Sequence, residues 1–421
     1  MSAALVFFGL MLLGMPIVGV LLAGALVFMA SQGLQVLYES VPIQWYGALE
    51  VHSLLAIPLF LLVGELMNQA GLTRRLMAVA QALVGGVRGG LAYANLIANA
   101  LAASILGSAV AQISIMGKVM VPTMERAGYR REFAAALTVS AGLLGPIIPP
   151  SMLMIIYGVV AVQPIGPLFI AGVVPGLVIV LALALVIAAH GCFGRGLPAA
   201  QAGERGPQVW LQGLLPAAIP AVVIAGVGLG IMTPTESGAV AALLALLLGL
   251  HYREIRLRDL GPILVNVATS TATITGLIAA AAVLGWALTF EGVPDRLVAL
   301  LQQWATTPLQ FLLLVIALLL VLGMFLESIS VLIVIVPLLM PVVQSLGIDP
   351  IHFGVVCTIA TVIGLVTPPV GPGLYIAMMQ TELRMAPLFV ATLPFLLATI
   401  AVLVLVAALP QLSTWLPSLM R

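Results

Sequence analysis

Apolar side chains fill long runs of this chain, and polar residues gather in short clusters between them. A membrane-crossing helix needs about 20 predominantly apolar residues. Runs of that order, bounded by charges, Pro and Gly, lie near 3–30, 54–70, 133–160, 165–190, 209–231, 238–252, 262–290, 353–380 and 387–410. They predict full crossings by helices and an all-α polytopic membrane protein. No charged segment precedes the first run, which is also too long for the core of a signal peptide, so it reads as a mature span.

Two further stretches, 91–124 and 310–344, carry Gly, Ser or Pro near their centres. Each is too long for one helix and too short for two ordinary spans. A re-entrant hairpin fits each, provided that its tip is buried in protein or lines a water cavity. A pair of short or tilted spans is the plain alternative.

Composition narrows the class. The 421 residues are 62% apolar and 7% charged, against roughly 45–50% and about 25% in soluble domains. With only 15 Lys or Arg and 14 Asp or Glu, the chain cannot coat a soluble globule of this length. The net charge of +1 gives no basic face for nucleic acid. Cys192, Cys357 and four scattered histidines show no metal-ligand spacing, and no hydrolase constellation is present.

The chain also repeats itself. At an offset of 219 residues Pro122 meets Pro341, Gly128 meets Gly347, Gly145 meets Gly364, and Pro149 and Pro150 meet Pro368 and Pro369. Just upstream, at an offset of 221, Gly64, Gly71, Arg75 and Leu76 meet Gly285, Gly292, Arg296 and Leu297. A GxxxPP inside an apolar run, twice at one offset, is a specific signal.

Charge sets the relative orientation of the halves. Loops 71–90 and 124–132 hold Arg74, Arg75, Arg88, Arg126, Arg130 and Arg131, whereas their counterparts 292–309 and 343–352 hold only Arg296. Cytoplasmic loops are enriched in Lys and Arg, so equivalent loops of opposite bias lie on opposite faces and the repeats are inverted. The same walk places Arg195, Arg205, Arg253, Arg256, Arg258 and Arg384 in the cytoplasm, with the N-terminus inside and the C-terminus outside. Trp45, Trp304 and Trp415 then fall at outer span ends and Trp210 at an inner one, as an interfacial belt requires.

Inverted repeats with broken helices at mid-membrane are a transporter architecture. Proline has no N–H and its ring clashes with the carbonyl four residues back, so Pro149 frees the carbonyl of Gly145 and Pro368 that of Gly364. In lipid such a carbonyl needs a partner. A helix C-terminus carries partial negative charge and hard oxygen ligands suit Na⁺, so a bound cation is one solution. Thr367 and Ser151 stand beside the breaks as further ligands. A plain proline kink, satisfied by hydroxyls or water, is the other solution.

The hairpin tips complement the breaks. Ser104, Gly107 and Ser108 mark the first, and Gly323, Glu327, Ser328 and Ser330 mark the approach to the second. Free helix N-terminal amides there would hold a carboxylate without any arginine, although Gly and Ser serve helix packing equally well. Ionisable groups inside the membrane are functional candidates: Glu65, Glu236, Glu327 and Lys118, the only lysine. Glu65 and Glu236 also lie near span ends, where capping or snorkelling accounts for them. Asn95 and Asn99 share a helical face and read as interhelical hydrogen-bonding groups.

These segments resemble the large membrane subunit of tripartite ATP-independent periplasmic (TRAP) transporters. The likeness rests on IPLFLLVGELMNQAGLTRRL at 57–76, REFAAALTVSAGLLGPIIPPS at 131–151, TPTESGAVAALLALLLG at 233–249, LGMFLE at 322–327, and LGIDPIHFG with GLVTPPVG at 346–371. It implies an elevator-type, sodium-coupled importer of organic acids in a bacterial inner membrane, working with a small membrane subunit of about four helices and a periplasmic substrate-binding protein. It further implies sodium sites at Gly145, Ile148 and Pro150 on one side and at Gly323, Gly364, Thr367 and Val370 on the other. One departure stands out. Relatives often carry a serine-rich tip, whereas this chain reads Leu106-Gly107-Ser108-Ala109, which leaves Ser104 or backbone carbonyls to serve there.

The expected organisation is scaffold and arm helices over 1–90 and 209–290, with transport-domain halves over 91–190 and 310–410. Sodium at the breaks orders the tips around a carboxylate held by Ser104, Gly107, Ser108, Ser151, Glu327 and Ser328. Two rivals remain: a stand-alone ion-coupled anion transporter of related fold that needs no binding protein, and an intramembrane enzyme. The enzyme lacks a nucleophile with a base in register.

Overall fold

A computed structural model describes residues 2–84, 86, 88–193, 198, 207–304 and 307–419. Arg195, Arg205 and the side chain of Trp304 lie outside the described residues. Twenty α-helices run in chain order as α1 Ser2–Leu12, α2 Ile17–Ser31, α3 Val41–Leu49, α4 Ala56–Gln69, α5 Leu72–Val84, α6 Gly90–Leu106, α7 Ala109–Arg126, α8 Arg131–Gly142, α9 Met152–Val160 and α10 Ile165–Phe193. They continue as α11 Pro207–Gly228, α12 Pro234–His251, α13 Leu260–Phe290, α14 Val293–Trp304, α15 Pro308–Gly323, α16 Ser328–Ser345, α17 Pro350–Gly364, α18 Pro372–Thr381, α19 Met385–Ala408 and α20 Gln411–Ser418. No strand occurs among the described residues.

Four of the predicted crossings are continuous helices long and apolar enough to span a bilayer: Ile165–Cys192, Pro234–His251, Leu257–Phe290 and Met385–Ala408. Outward stripes such as Leu177, Leu181 and Leu185 on α10 leave large apolar side chains exposed, the surface that lipid covers. The chain is a multi-pass membrane protein.

Two spans differ from expectation. The run 3–30 is not one helix. Gly14 takes a left-handed backbone at φ 76° just before Pro16, a conformation that glycine adopts without steric cost, and α1 packs back along α2. The run 54–70 is the second limb of a bent pair, Gln35–Leu49 and His52–Gln69, that turns by 58°.

The two halves share one plan. Hairpin α6–α7 precedes broken helix α8–α9, and hairpin α15–α16 precedes broken helix α17–α18. Matched glycines share their backbone: Gly71 and Gly292 have φ of 64° and 65°, and Gly128 and Gly347 have 90° and 65°. The matched Pro149–Pro150 and Pro368–Pro369 bonds are both cis. Both arms of each hairpin pack on the broken helix that follows. The packing is also reciprocal, α7 against α18 and α16 against α9. Every residue from 133 to 147 and from 352 to 366 is buried, so the broken helices form the centre of the molecule and are apolar all round for that reason.

Amphipathic helices α5 and α14 occupy equivalent places before the two hairpins. α5 is anchored by Arg75, whose guanidinium lies 3.7 Å from the Tyr252 ring centroid and 3.7 Å from Glu254 Oε1.

Candidate functional site

Each hairpin tip sits at the break of its own broken helix, halfway along rather than at an end. At the first tip Gly107 closes α6 in a left-handed backbone at φ 59°. Ser108 caps α7, its hydroxyl accepting from Ala111 N at 3.5 Å. A Cβ on Gly107 would stand 3.5 Å from the Pro150 carbonyl oxygen and from Met152 N. At the second tip Gly371 N donates to Met324 O at 3.0 Å. Gly323 and Gly364 meet there backbone to backbone: a Cβ on Gly364 would lie 2.6 Å from the Gly323 Cα. Neither position has room for a side chain. Gly107 and Gly323 are buried against the breaks, whereas Phe325 and Glu327 of the second tip are exposed; packing on protein or lining a cavity is the condition lipid sets for irregular backbone.

The breaks differ in how they satisfy their carbonyls. At the second, Gly364 O accepts from Thr367 N at 3.0 Å and Leu365 O from Gly373 N at 2.9 Å. The expectation that Pro368 leaves the Gly364 carbonyl without a partner therefore needs correction. A tight turn supplies one partner, and the second lone pair remains for a ligand. The Thr367 hydroxyl donates to Ile363 O at 3.0 Å, which leaves its own oxygen able to accept a cation. Val370, 38% exposed, follows at the mouth of this break. At the first break Ser151 caps α9 by accepting from Met154 N at 3.3 Å and donates its proton to Pro146 O. Ile148 packs against the face of α10 at Gly176.

Both tips open on one cavity of about 450 Å³. Gly107, Ser108, Pro150, Glu327 and Ser328 line it, so four of the six residues expected to hold substrate come together with the first break. Ser104 and Ser151 do not reach it. Ser104 is turned back onto its own helix, donating to Leu101 O at 2.7 Å, and Ser151 is buried beneath Pro150. The helices α7 and α16 both start at this cavity, and their N-terminal amides present partial positive charge to it.

Sequence reasoning missed the opposite wall. Thr269, Ser270 and Thr273 of α13, with Asn68 of α4, line the same cavity. The run TSTATIT at 269–275 is unusually rich in hydroxyls for a membrane helix and was the available signal. Glu65 also lines the cavity and accepts from Gln69 Nε2 at 3.0 Å. Glu236 does not. It forms a capping box with Thr233 at the start of α12, as the span-end reading requires. Lys118 is exposed on α7 away from the cavity lining. Asn95 donates across to Thr138 of α8 at 2.8 Å and accepts from Asn99 at 2.7 Å, an interhelical role.

Two discontinuous helices and two hairpin tips around one shared cavity define a secondary-transporter type of membrane protein. Comparison with known proteins is more specific. Residues 4–412 match the family model of the tripartite ATP-independent periplasmic transporter, DctM component, and the chain belongs to that family. It is 37% identical to the sialic acid TRAP transporter large permease protein SiaM of Vibrio cholerae, covering 98% of this chain and 96% of that one. It is 36% identical to the C4-dicarboxylate large permease DctM of Pseudomonas aeruginosa, over 90% of each chain. To the 2,3-diketo-L-gulonate large permease YiaN of Escherichia coli it is 34% identical, over 97% and 98%. Among solved structures, the Alcanivorax borkumensis YdaH transporter superposes with a TM-score of 0.66 at 16% identity, covering 96% of this chain and 97% of that one. That likeness concerns the fold.

Proposed function

We propose that this chain is the large permease of a sodium-coupled importer that moves an organic acid across a bacterial inner membrane by an elevator motion. A periplasmic binding protein delivers the acid, and a small four-helix membrane subunit braces the scaffold formed by α1, α2, α11 and α12. The repeats are inverted, with the N-terminus cytoplasmic and the C-terminus periplasmic, a reading supported by the arginine bias of the matched loops. The named relatives carry sialic acid, C4-dicarboxylates and 2,3-diketo-L-gulonate, all carboxylates, and the cargo here belongs to that class.

One observation carries the coupling. The cavity holds the carboxyl groups of Glu65 and Glu327, and no Lys, Arg or His is among its lining residues. A carboxylate entering such a site meets two carboxyl groups and no cationic side chain against a mostly apolar lining, where Coulomb terms are strong. Helix N-termini offset part of this cost. Cations bound at the breaks offset the rest, which makes anion binding depend on sodium.

Gly145, Ile148, Pro150 and the first tip would hold one Na⁺, and Gly323, Gly364, Thr367 and Val370 another. When bound, the ions supply positive charge beside the substrate and fix each tip against its break. The test is uptake of labelled organic acid into proteoliposomes containing the permease and its small subunit, with binding protein outside. Sodium and choline gradients are compared for the parent and Thr367→Ala. Uptake should require sodium, and Thr367→Ala should raise the sodium requirement while capture by the binding protein is unchanged. Equal uptake in both salts refutes sodium coupling, and an unchanged sodium response in the variant refutes the role of Thr367.

A further inference from the structure

A single-file amide chain runs through the first hairpin and ends on an oxygen with no hydrogen-bond partner. Gln112 Nε2 donates to Asn99 O at 2.7 Å and to Asn99 Oδ1 at 3.0 Å. Asn99 Nδ2 donates to Asn95 Oδ1 at 2.7 Å, Asn95 Nδ2 to Thr138 Oγ1 at 2.8 Å, and Thr138 Oγ1 to Ala134 O at 2.8 Å. Asn95, Asn99 and Gln112 are each 0% exposed. At the head of the chain Gln112 Oε1 is buried without a partner. Turning the Gln112 amide over would set its oxygen against both oxygens of Asn99, so the network itself fixes which atom is left over.

That oxygen is aimed. It lies 2.6 Å from the point a Cβ on Gly145 would occupy, and the Ser108 carbonyl oxygen lies 3.2 Å from the same point. Any side chain at 145 would collide with this oxygen, so glycine there lets it reach the break. Two oxygens therefore converge where the first hairpin tip meets the first break, just beyond the C-terminal, partly negative end of α8. All four links of the chain donate away from Gln112, so each polarises the next and negative charge accumulates on Gln112 Oε1. A buried carbonyl-type oxygen of this kind is costly alone and is a fitting ligand for a hard monovalent cation.

We propose that Gln112 Oε1 is a side-chain ligand of the cation at the first break, with Asn99 and Asn95 as the positioning residues that aim it. This rests on the sodium-coupled reading above and deepens it. The tip sequence Leu106-Gly107-Ser108-Ala109 is poor in side-chain oxygens, and Gln112, one turn further along α7, supplies the missing one.

The test is thermal unfolding of the detergent-purified full chain, titrated with NaCl against choline chloride at constant ionic strength. A ligand of the folded state raises the melting temperature by mass action. The readout is the sodium concentration that gives half the maximal rise. Gln112→Met matches the shape and removes the acceptor. It should raise half-saturation by about tenfold or more, the scale for losing one supporting group of a metal site. Gln112→Glu keeps an oxygen at the first break but sets its other oxygen against Asn99 O and Oδ1, so its half-saturation should fall between those of the parent and Gln112→Met.

A Gln112→Met curve superimposable on the parent's overturns the assignment, as does a Gln112→Glu response weaker than that of Gln112→Met. Should Gln112→Met not purify as a folded species, Gln112→Asn withdraws the oxygen by one methylene and carries the same two outcomes. No sodium-specific rise in the parent would sink the coupling reading itself. A parent response that every Gln112 variant shares sinks only the role of Gln112.

Discussion

The close backbone approach of Gly323 and Gly364 makes a quantitative prediction. Gly364→Ala places a Cβ 2.6 Å from the Gly323 Cα, 2.9 Å from the Gly323 carbonyl carbon and 3.1 Å from Leu320 O. Ordinary contact begins at about 3.4 Å, so α15 must withdraw from α17 by up to about 0.8 Å in a region packed to crystal density. All three neighbours are backbone atoms, and no side chain can rotate away. Overpacking of this kind costs about 1–3 kcal/mol. If the second hairpin tip and the second break together form a cation site, that strain is expressed as weaker binding, about 5- to 150-fold in sodium half-saturation. The assay is the sodium titration of thermal unfolding. Gly285→Ala is the control, since no atom lies within 4 Å of its added Cβ. Half-saturation within about twofold of the parent, with a melting temperature lowered equally in sodium and choline, would refute the reasoning.

Two further perturbations test how the scaffold is held. Thr233→Ala breaks the capping box in which Thr233 Oγ1 accepts from Glu236 N at 3.2 Å and Glu236 Oε2 accepts from Thr233 N at 2.8 Å. A loss of about 1 kcal/mol should show as faster hydrogen exchange confined to the first turn of α12, with the sodium response unchanged. Arg75→Ala removes both the stacking on Tyr252 and the ion pair with Glu254. At about 1–2 kcal/mol for the desolvated cation–π contact, exchange at the Glu254 and Ile255 amides, which bond to Gly249 O, should rise about 5- to 30-fold. Arg75→Lys should recover only part of this, because a point charge does not stack as a planar guanidinium does.

Much of the fold was legible because its breaks are made by residues that act locally. Proline removes a donor and glycine admits a left-handed backbone wherever they stand, so Pro149, Pro368, Gly128 and Gly347 announced the broken helices and the hairpin ends without any tertiary information. The same signal, Gly14 followed by Pro16, also marked the turn between α1 and α2. It was masked there by an apolar run long enough for one helix. The cavity was half legible. Its tips lie at sequence breaks, but its far wall is a face of α13, and Thr269, Ser270 and Thr273 acquire meaning only from the helix packed opposite them. Gln112 was not legible at all. Its importance depends on which of its two amide atoms is left unpaired, and that is decided by Asn99, 13 residues away on another helix.

The duplication and this asymmetry bear on one another. A repeat conserves the backbone path, because the path is set by glycine and proline at matched positions. It places no such constraint on which atoms supply oxygen. At the second break two glycines bring main chain against main chain, with the Thr367 hydroxyl beside them. At the first, the residue matching Gly323 is Ser104, whose hydroxyl is turned back to Leu101 O. There a buried amide of α7, Gln112, stands against Gly145 instead. On the proposed reading, one site would be built by close approach of backbone and the other by reach of a side chain. Removing a ligand by mutation is direct at the first. At the second, Thr367 offers one side-chain oxygen and the other groups are backbone, so that break is reached both through Thr367 and through packing at the glycine pair.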